Sequence, residues 1–458
     1  MRYESPWPVA AAATPQLSIA QPLCVDLEGA LVKTDLTAEA LLLAAKQRPW
    51  MLPLLFWRAI WGWAYLKRRL FQLAMPDTEL LPYRAETLDL LRREHAAGRS
   101  LILVSSADER MARSVADYFG IFDHVLASNG RVHCTGAARR RAIHEYLGKR
   151  DFDYLGTTPA PRRGTSVLRA TAKALRPHQW VKNLLVLLPL FLAHQVDQLA
   201  KAGTALVAMA AFCCCASAIY VLNDLLDLEN DRRHPTKRRR PFAAGELSPR
   251  AGALLSPALC SLGLAAAARF VSWEFCGLLA VYVCLTTAYS VFLKQKLALD
   301  VLLLAGLYTY RMLAGAAAVD VELSQWLLAF SMFFFFSLAL GKRYVELSRR
   351  KGDSNETLPG RGYRSEDLSL LESLGPTSGY LAVLVLCLYL ESKPVQELYA
   401  NPRLLWLACP VLLYWLTRFW ILAKRREIAD DPVVFALKDK ASLASIALTA
   451  LIVLAARI

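Results

Sequence analysis

At 458 residues the chain is too long for one small domain, and 54 Lys and Arg against 39 Asp and Glu give it a formal net charge of +15. The basic residues cluster between apolar stretches, which points to anionic lipid and phosphate substrates and away from nucleic acid. Ten cysteines form no Cys-x-x-Cys pair; no disulfide framework is expected, and Cys213, Cys214 and Cys215 read as small residues inside an apolar run. Residues 1–20 lack a long apolar core behind a basic segment, so they read as a disordered tail and not as a signal peptide.

Residues 21–165 alternate strand and helix patterns. Leu23 to Asp26 is a short apolar strand ending in an acid. Helical patterns follow at Thr37 to Gln47 and Ala85 to Ala97, and a second strand, Ser100 to Ser105, ends in small polar residues. HVLAS and DYLGTT read as further strands, with a helix over Ala138 to Gly148 between them. This alternation predicts a Rossmann-like α/β domain with a parallel sheet, whose function sits at the carboxyl ends of its strands.

Those strand ends resemble the haloacid dehalogenase superfamily of aspartyl phosphatases, whose first signature is Asp-x-Asp-Gly-Thr. Here it reads DLEGA, from Asp26 to Ala30. The resemblance implies that Asp26 is the nucleophile and that Glu28 holds the place of the acid that protonates the leaving group. Ser105 or Ser106 supplies the second motif. The third motif has only arginines in Gly136 to Arg141, and the fourth, Tyr154 to Gly164, has no acid to hold Mg²⁺. A metal that offsets anionic repulsion would lose part of its shell. The head is therefore expected to be catalytically inactive, with a vestigial site at Asp26, Glu28 and Ser105; a live phosphatase is the other reading.

Residues 50–73 interrupt the α/β pattern with a short aromatic run. Arg58 inside it argues against a span, and the run reads equally as a cap on the head or as a segment that docks on the bilayer or the membrane part. TPAPRRGTSVLRA, at 158–170, marks the boundary to a second domain, 166–458.

Nine apolar runs follow, at 182–196, 203–222, 251–268, 274–292, 298–316, 324–341, 376–391, 402–422 and 441–457. Most approach the ~20 residues a helix needs to cross a bilayer, which predicts an all-α polytopic membrane domain of nine transmembrane helices. Lys and Arg crowd the connections after the second, fourth, sixth and eighth runs. The alternate connections carry only Lys201, Arg269, Lys393 and Arg403. That asymmetry places the basic connections and the head in the cytoplasm and the C-terminus outside.

After the second run comes NDLLDLENDRRHPTKRRRPFAAG, from Asn223 to Gly245. On a helix, Asn223, Asp227 and Asp231 line one face, with Asp224 beside them and Arg232, Arg233, His234, Lys237, Arg238, Arg239 and Arg240 directly after. An acidic row next to a basic cluster suits magnesium-bound diphosphate. Mg²⁺ takes one or two carboxylates and fills its shell with phosphate oxygens and water, and cations neutralise the remaining phosphates. The plainer reading is a charged helix end meeting a surface loop, but acids at a membrane boundary are functional candidates.

The row resembles the first signature of the UbiA superfamily of membrane transferases, Asn-Asp-x-x-Asp-x-x-x-Asp. The longer stretch, with RPHQWVKN at Arg176 to Asn183, looks like the decaprenyl-phosphate phosphoribosyltransferase branch, over residues 170 to 458. The resemblance implies a UbiA fold in a bacterial inner membrane. It also implies transfer of 5-phosphoribosyl from phosphoribosyl diphosphate to a polyprenyl phosphate, with release of diphosphate and a product that feeds arabinofuranose donor synthesis.

In the second half, Tyr289 and Lys294 lead to Asp300, then Tyr308, Tyr310 and Arg311. Many UbiA relatives have a second paired-Asp motif here; this chain has Asp300 alone, read either as a metal or substrate group or as a partner of Lys294 or Lys296. Arg311, inside a span, reads as a donor-phosphate or internal ion-pair residue. Lys342, Arg343 and Glu346 allow a helical ion pair or a phosphate clamp, and residues 351–375 read as a lid.

The expected roles are Asn223, Asp227 and Asp231 on Mg²⁺ and diphosphate. Substrate contacts are expected from Lys182, Asn183, Asp224, Lys237, Arg238, Arg240, Tyr289, Lys294, Asp300, Arg311, Lys342 and Arg343. A lipid phosphate is already an anion and needs no general base. An aromatic prenyltransferase using a polyprenyl diphosphate would need the same metal site, and a non-enzymatic membrane scaffold is the third reading. Homo-oligomerisation stays open.

Overall fold

The computed structural model describes residues 21–57, 62–130, 132–148, 150–156, 164–349, 362–428 and 431–457. The expected tail, 1–20, lies outside them, as do 158–163 of the boundary stretch and 351–361 of the expected lid. Packing divides the chain into two compact units, Met1–Leu175 with Val221–Leu255, and Arg176–Tyr220 with Ser256–Ile458.

The first unit is built on β1 (Leu23–Asp26), buried on both faces as a central parallel strand must be. Asp35 caps α1 (Leu36–Gln47), its carboxylate accepting from Ala38 N at 2.8 Å. Glu39 in the first turn and Lys46 in the last suit the helix dipole. The aromatic insert forms α2 (Leu52–Trp57) and α3 (Trp63–Leu73). Then come α4 (Ala85–Ala96), β2 (Leu101–Asp108), α5 (Glu109–Phe119), β3 (His124–Ser128), α6 (Gly136–Leu147) and β4 (Asp153–Leu155).

The four strands are all parallel, in the order β3-β2-β1-β4. The winding reverses beside β1, so Asp26 lies at the carboxyl end of a strand at the switch point, where ligands of such sheets bind. Leu55, Leu66, Leu70 and Phe71 of the insert belong to the head's own core, while Trp50, Trp57 and Trp63 stay exposed. The insert thus folds as a cap with outward tryptophans. On the far side, α7 (Gly164–Leu175) places Ala170 and Ala174 against Val221, Leu225, Leu228, Phe242 and Leu247.

The remaining elements are helical. They are α8 (Leu188–Leu192), α9 (Leu199–Leu226), α10 (Leu228–Arg233), α11 (Pro249–Phe270), α12 (Trp273–Val291), α13 (Leu299–Val319), α14 (Gln325–Ser348) and α15 (Leu368–Leu390). After these come α16 (Lys393–Leu398), α17 (Ala408–Lys424), α18 (Pro432–Lys438) and α19 (Lys440–Arg457). Among the described residues, eight helices are long and apolar enough to cross a membrane. The ninth expected run, 182–196, departs from expectation: it folds as a 3₁₀ helix, Pro177–Val186, followed by the five-residue α8. Pro177 opens the 3₁₀ helix, where its missing N–H costs nothing, and Pro189 accounts for the break, since proline donates no backbone hydrogen bond and disfavours helical geometry in the residue before it. Of the expected lid, the described part forms a 3₁₀ turn, Ser365–Asp367, and the start of α15.

Close packing in the second unit depends on small residues. A Cβ at Gly315 of α13 would overlap the backbone of Val186 in the 3₁₀ segment, so glycine is what lets the two backbones touch. Trp420 lies against Gly375, and its Nε1 donates to Ser337 Oγ at 3.1 Å, which in turn donates to the Gly375 carbonyl at 2.7 Å. Gly315→Val should therefore cost about 1–3 kcal/mol or more of stability by overpacking. Thermal unfolding of the detergent-solubilised protein checks this; an unchanged midpoint would contradict the packing described.

Candidate active site

Within the first unit, the acid row straddles a break between two helices. Asn223 and Asp224 end α9, Asp227 caps α10, and Asp231 lies in α10. The i→i−4 bonds continue through the break, from Asp227 N to the Asn223 carbonyl at 2.9 Å and from Asp231 N to the Asp227 carbonyl at 2.8 Å. The row is therefore in register, yet its members face different partners. Asp224 and Asp231 are 2% and 3% exposed, and one guanidinium bridges them: Arg240 Nη1 donates to Asp224 at 3.1 Å and to Asp231 at 2.6 Å. Burial pushes the Asp231 carboxyl up, and Arg240 pulls it back down. Asp227 is more exposed and pairs with Lys46 at 2.9 Å.

The basic cluster also divides. Arg240 turns to the carboxylates. Arg232 and Arg233 turn to acids of the α/β head, Glu39 and Asp77. Lys237 and Arg238 are exposed in a 3₁₀ turn, Lys237–Arg239, and Arg238 lines an open groove of about 550 Å³ with Lys33, Lys173 and Arg239.

The donor set fits a hard divalent cation. Two buried carboxylates already converge on one positive group, and Mg²⁺ needs no more than one or two from the protein. Among the described residues no three His, Cys, Asp or Glu side chains gather into a metal cage, so a cation here would draw its other oxygens from a substrate.

Two clusters lie in the second unit. Asp300, in the first turn of α13, and Arg343, in α14, are wholly buried and joined by two hydrogen bonds, at 2.5 and 3.2 Å. Tyr289 Oη donates to Asp300 at 2.7 Å, and Arg343 also pairs with Glu346. Arg343 is thus a partner of Asp300 that the sequence reading did not name. The helical ion pair that this spacing allows is formed by Arg343 with Glu346, three residues on. Lys294 lies in the 3₁₀ turn Leu293–Gln295 that leads into α13.

Lys342 instead meets Lys182 on one acid. Lys182 and Lys342 donate to Asp431 Oδ2 at 3.0 and 2.8 Å. Burial works against the Asp431 carboxylate, but the two ammonium groups hold it well below the usual carboxylate range. Next to it is Arg311. Its expected ion pair is absent among the described residues; it donates to Asn183 Oδ1 at 3.0 Å, the Leu307 carbonyl at 2.5 Å and Tyr282 Oη at 2.7 Å. Its guanidinium also lies over the rings of Tyr282 and Tyr308, the latter shared with Lys182. A buried arginine satisfied by neutral acceptors keeps its charge available to an anion. Asn183 is fixed in turn, donating to Cys213 Sγ at 3.3 Å.

Below Lys182 and Tyr308 opens a cavity of about 890 Å³, walled by apolar side chains such as Leu188, Phe335, Leu338, Trp415 and Val453. Sequence reasoning missed Asp431, although it precedes Pro432 and caps α18, a legible N-terminal signal.

In the head, Arg139 Nη1 donates to Asp26 at 2.8 Å and to Tyr154 Oη at 2.6 Å. Glu28 accepts from Ser106, and Ser105 is buried, its Oγ accepting from Ala107 N. Lys67, from the insert, donates to the Ser106 carbonyl at 2.9 Å. Burial pushes the Asp26 and Glu28 carboxyls up and the Lys67 amine down.

A polytopic helical chain with buried cations above an apolar cavity is a membrane enzyme in architecture. Residues 184–446, more than half of the chain, match the UbiA prenyltransferase family, and residues 17–154 match the haloacid dehalogenase-like hydrolases. The chain belongs to the UbiA prenyltransferase family and carries a haloacid dehalogenase-like domain in front. The protein y4nM of Sinorhizobium fredii is 34% identical over 456 residues, covering 92% of this chain and 88% of its own length. Nodulation protein NoeC of Azorhizobium caulinodans is 37% identical over 277 residues, covering 60% of this chain and 89% of its own. The decaprenyl-phosphate phosphoribosyltransferase of Mycolicibacterium smegmatis is 40% identical over 207 residues, covering 43% of this chain and 64% of its own length.

Asp431→Asn should cost about 3 kcal/mol at neutral pH, since it leaves two lysines facing each other without their acid. The folded pKa of Asp431 is depressed, so its contribution is complete above the unfolded value near ~4 and is lost only as pH falls through the lower folded value. Unfolding midpoints at pH 7 and pH 5 should show the same deficit for the variant; a wild-type midpoint would contradict the assignment.

Proposed function

We propose that the chain transfers 5-phosphoribosyl from phosphoribosyl diphosphate to a polyprenyl phosphate, releasing diphosphate. The observation that carries this reading is the apolar cavity headed by Lys182, with Lys342, Asp431 and Arg311 beside it. A lipid phosphate needs cations at its head and apolar walls for its tail, and that is what these residues offer. It attacks as an anion and so needs no general base.

Roles are assigned by chemistry. Asp224 and Asp231, with Asp227 and Asn223 in the same row, hold Mg²⁺ and the diphosphate, where the metal acts as a Lewis acid on the leaving group. Arg240, Lys237 and Arg238 neutralise donor phosphate charge. Lys182, Lys342 and Arg311 orient the acceptor phosphate, and Asn183 and Tyr282 fix the Arg311 fork. Asp300, Arg343 and Tyr289 form a closed network that braces α13 against α14; with its carboxylate neutralised, Asp300 is assigned no second metal. The partial likeness to decaprenyl-phosphate phosphoribosyltransferases supports the donor choice. The head is assigned no phosphatase role, because Arg139 neutralises Asp26 at the point of attack.

We place the protein in the bacterial inner membrane with its basic connections and head in the cytoplasm. Residues 176–220 leave one compact unit and return to it. α9 accounts for one crossing. The 3₁₀ helix Pro177–Val186 rises about 20 Å at ~2.0 Å per residue, and α8 adds roughly 7 Å, together close to the ~30 Å hydrocarbon thickness. On this reading the broken segment would be a ninth crossing beside the eight long apolar helices.

The test is a transfer assay in detergent with labelled phosphoribosyl diphosphate, polyprenyl phosphate and Mg²⁺. Label should enter the lipid fraction, and Asp231→Asn, Lys182→Met or a chelator should reduce transfer by at least about 10²-fold. No transfer, together with prenylation of an aromatic acceptor from a polyprenyl diphosphate, would overturn the reading in favour of a quinone-pathway type of enzyme.

A further inference from the structure

The degenerate head lacks a role in the chemistry above, yet one of its helices is built against the acid row. In α1, Glu39, Leu42, Leu43 and Lys46 follow an i, i+3, i+4, i+7 pattern and share one face. That face meets the break between α9 and α10: Leu42 packs against the cluster of Leu225 and Leu228, and Leu43 lines a small cleft with Leu226. A charged pair closes each end. Glu39 and Arg232, with side chains 4% and 5% exposed, form a two-pronged bond, Arg232 Nη1 and Nη2 donating at 2.9 and 2.5 Å. Thr34 Oγ1 also donates to Glu39, and Arg232 Nε donates to the Ala243 carbonyl. At the other end Lys46 meets Asp227 at 2.9 Å. The polarity is crossed, acid on base at one end and base on acid at the other, so α1 can seat in one direction only. Asp77 with Arg233, and Asp35 with Arg250, reinforce the seat.

We propose that the head is a positioning element of the transferase, acting through α1: Glu39 fixes α10 through Arg232, and Lys46 is a tethered cation that competes with divalent metal for Asp227. The inference rests on the assignment of the acid row to metal. Arg232 is held at both ends, by Glu39 and by the Ala243 carbonyl, and so ties α10 to the loop that carries Arg240. Losing Glu39 would free α10 and loosen the convergence of Asp224 and Asp231 on Arg240. Losing Lys46 would leave the buried Glu39–Arg232 end of the seat in place and remove one competing cation from the Asp227 carboxylate. Opposite effects are thus expected from two residues on one helix face, which a merely structural head would not produce.

The experiment is a Mn²⁺ titration of the full chain in detergent, followed by the electron paramagnetic resonance signal of free Mn²⁺ and needing no substrate. Mn²⁺ serves as the probe because carboxylate sites for Mg²⁺ accept it. Lys46→Gln should bind Mn²⁺ about threefold more tightly than wild type, the factor a half-exposed ion pair is worth. Lys46→Arg should match wild type, and Glu39→Gln should bind more weakly and unfold at a lower temperature. Should Glu39→Gln fail to fold, the two Lys46 variants decide alone. Equal affinity for Lys46→Gln and wild type, or weaker binding by Lys46→Gln, would overturn the proposal. Mn²⁺ binding by wild type that is unaffected by Asp231→Asn would instead remove the metal assignment on which it rests, and that result is read separately from the Lys46 comparison.

Discussion

One guanidinium between two buried carboxylates organises the acid row of the first unit. Asp224 and Asp231 are seven residues apart, two turns of helix, and neither could stay charged and buried beside the other without a cation between them. Arg240 supplies it from the following loop. The loop must therefore fold back on the helix break, and Phe242 and Leu247 pack beneath it against α7 and α9. The same electrostatic demand makes the place suitable for a divalent cation with its phosphate ligands: what tolerates Arg240 would tolerate a metal there.

The second unit solves a similar problem differently. Its buried charges are sorted into a closed group and an open one. Asp300, Arg343, Tyr289 and Glu346 satisfy one another inside the helix bundle. Lys182, Lys342 and Asp431 form a cluster with more cations than acids, and Arg311 adds another positive charge with neutral partners. An excess of buried positive charge above apolar walls is costly for a scaffold and useful to an enzyme that receives a lipid anion. This is the physical argument against a drifted, non-enzymatic membrane part.

Much of this was legible in the sequence where a single local rule decided the outcome. Alternating strands and helices predicted the parallel sheet, and run length predicted eight of the membrane helices. Helical spacing put the acid row in register. What failed were partner choices, which depend on distant residues. Arg232 and Arg233 read as phosphate ligands but serve Glu39 and Asp77 of the head. Helical spacing allowed an ion pair among Lys342, Arg343 and Glu346; Arg343 takes Glu346, while Lys342 reaches Asp431, 89 residues away, which spacing could not show. Arg343, 43 residues on, bonds Asp300, a partner that local spacing could not name. The run at 182–196 had the hydropathy of a span, but Pro189 interrupts it, and the 3₁₀ segment before the break needs Gly315 opposite it.

The central claim is that the Asp224–Asp231–Arg240 cluster receives the diphosphate of a phosphorylated donor with its metal. An experimental map of the full chain with phosphoribosyl diphosphate and Mn²⁺, using the anomalous signal of manganese, tests it most directly. The account predicts a manganese peak bound by Asp224 or Asp231, with Arg240 turned onto a phosphate oxygen. A peak at Asp300, or a donor bound with the Arg240 bridge intact and no metal beside it, would contradict it.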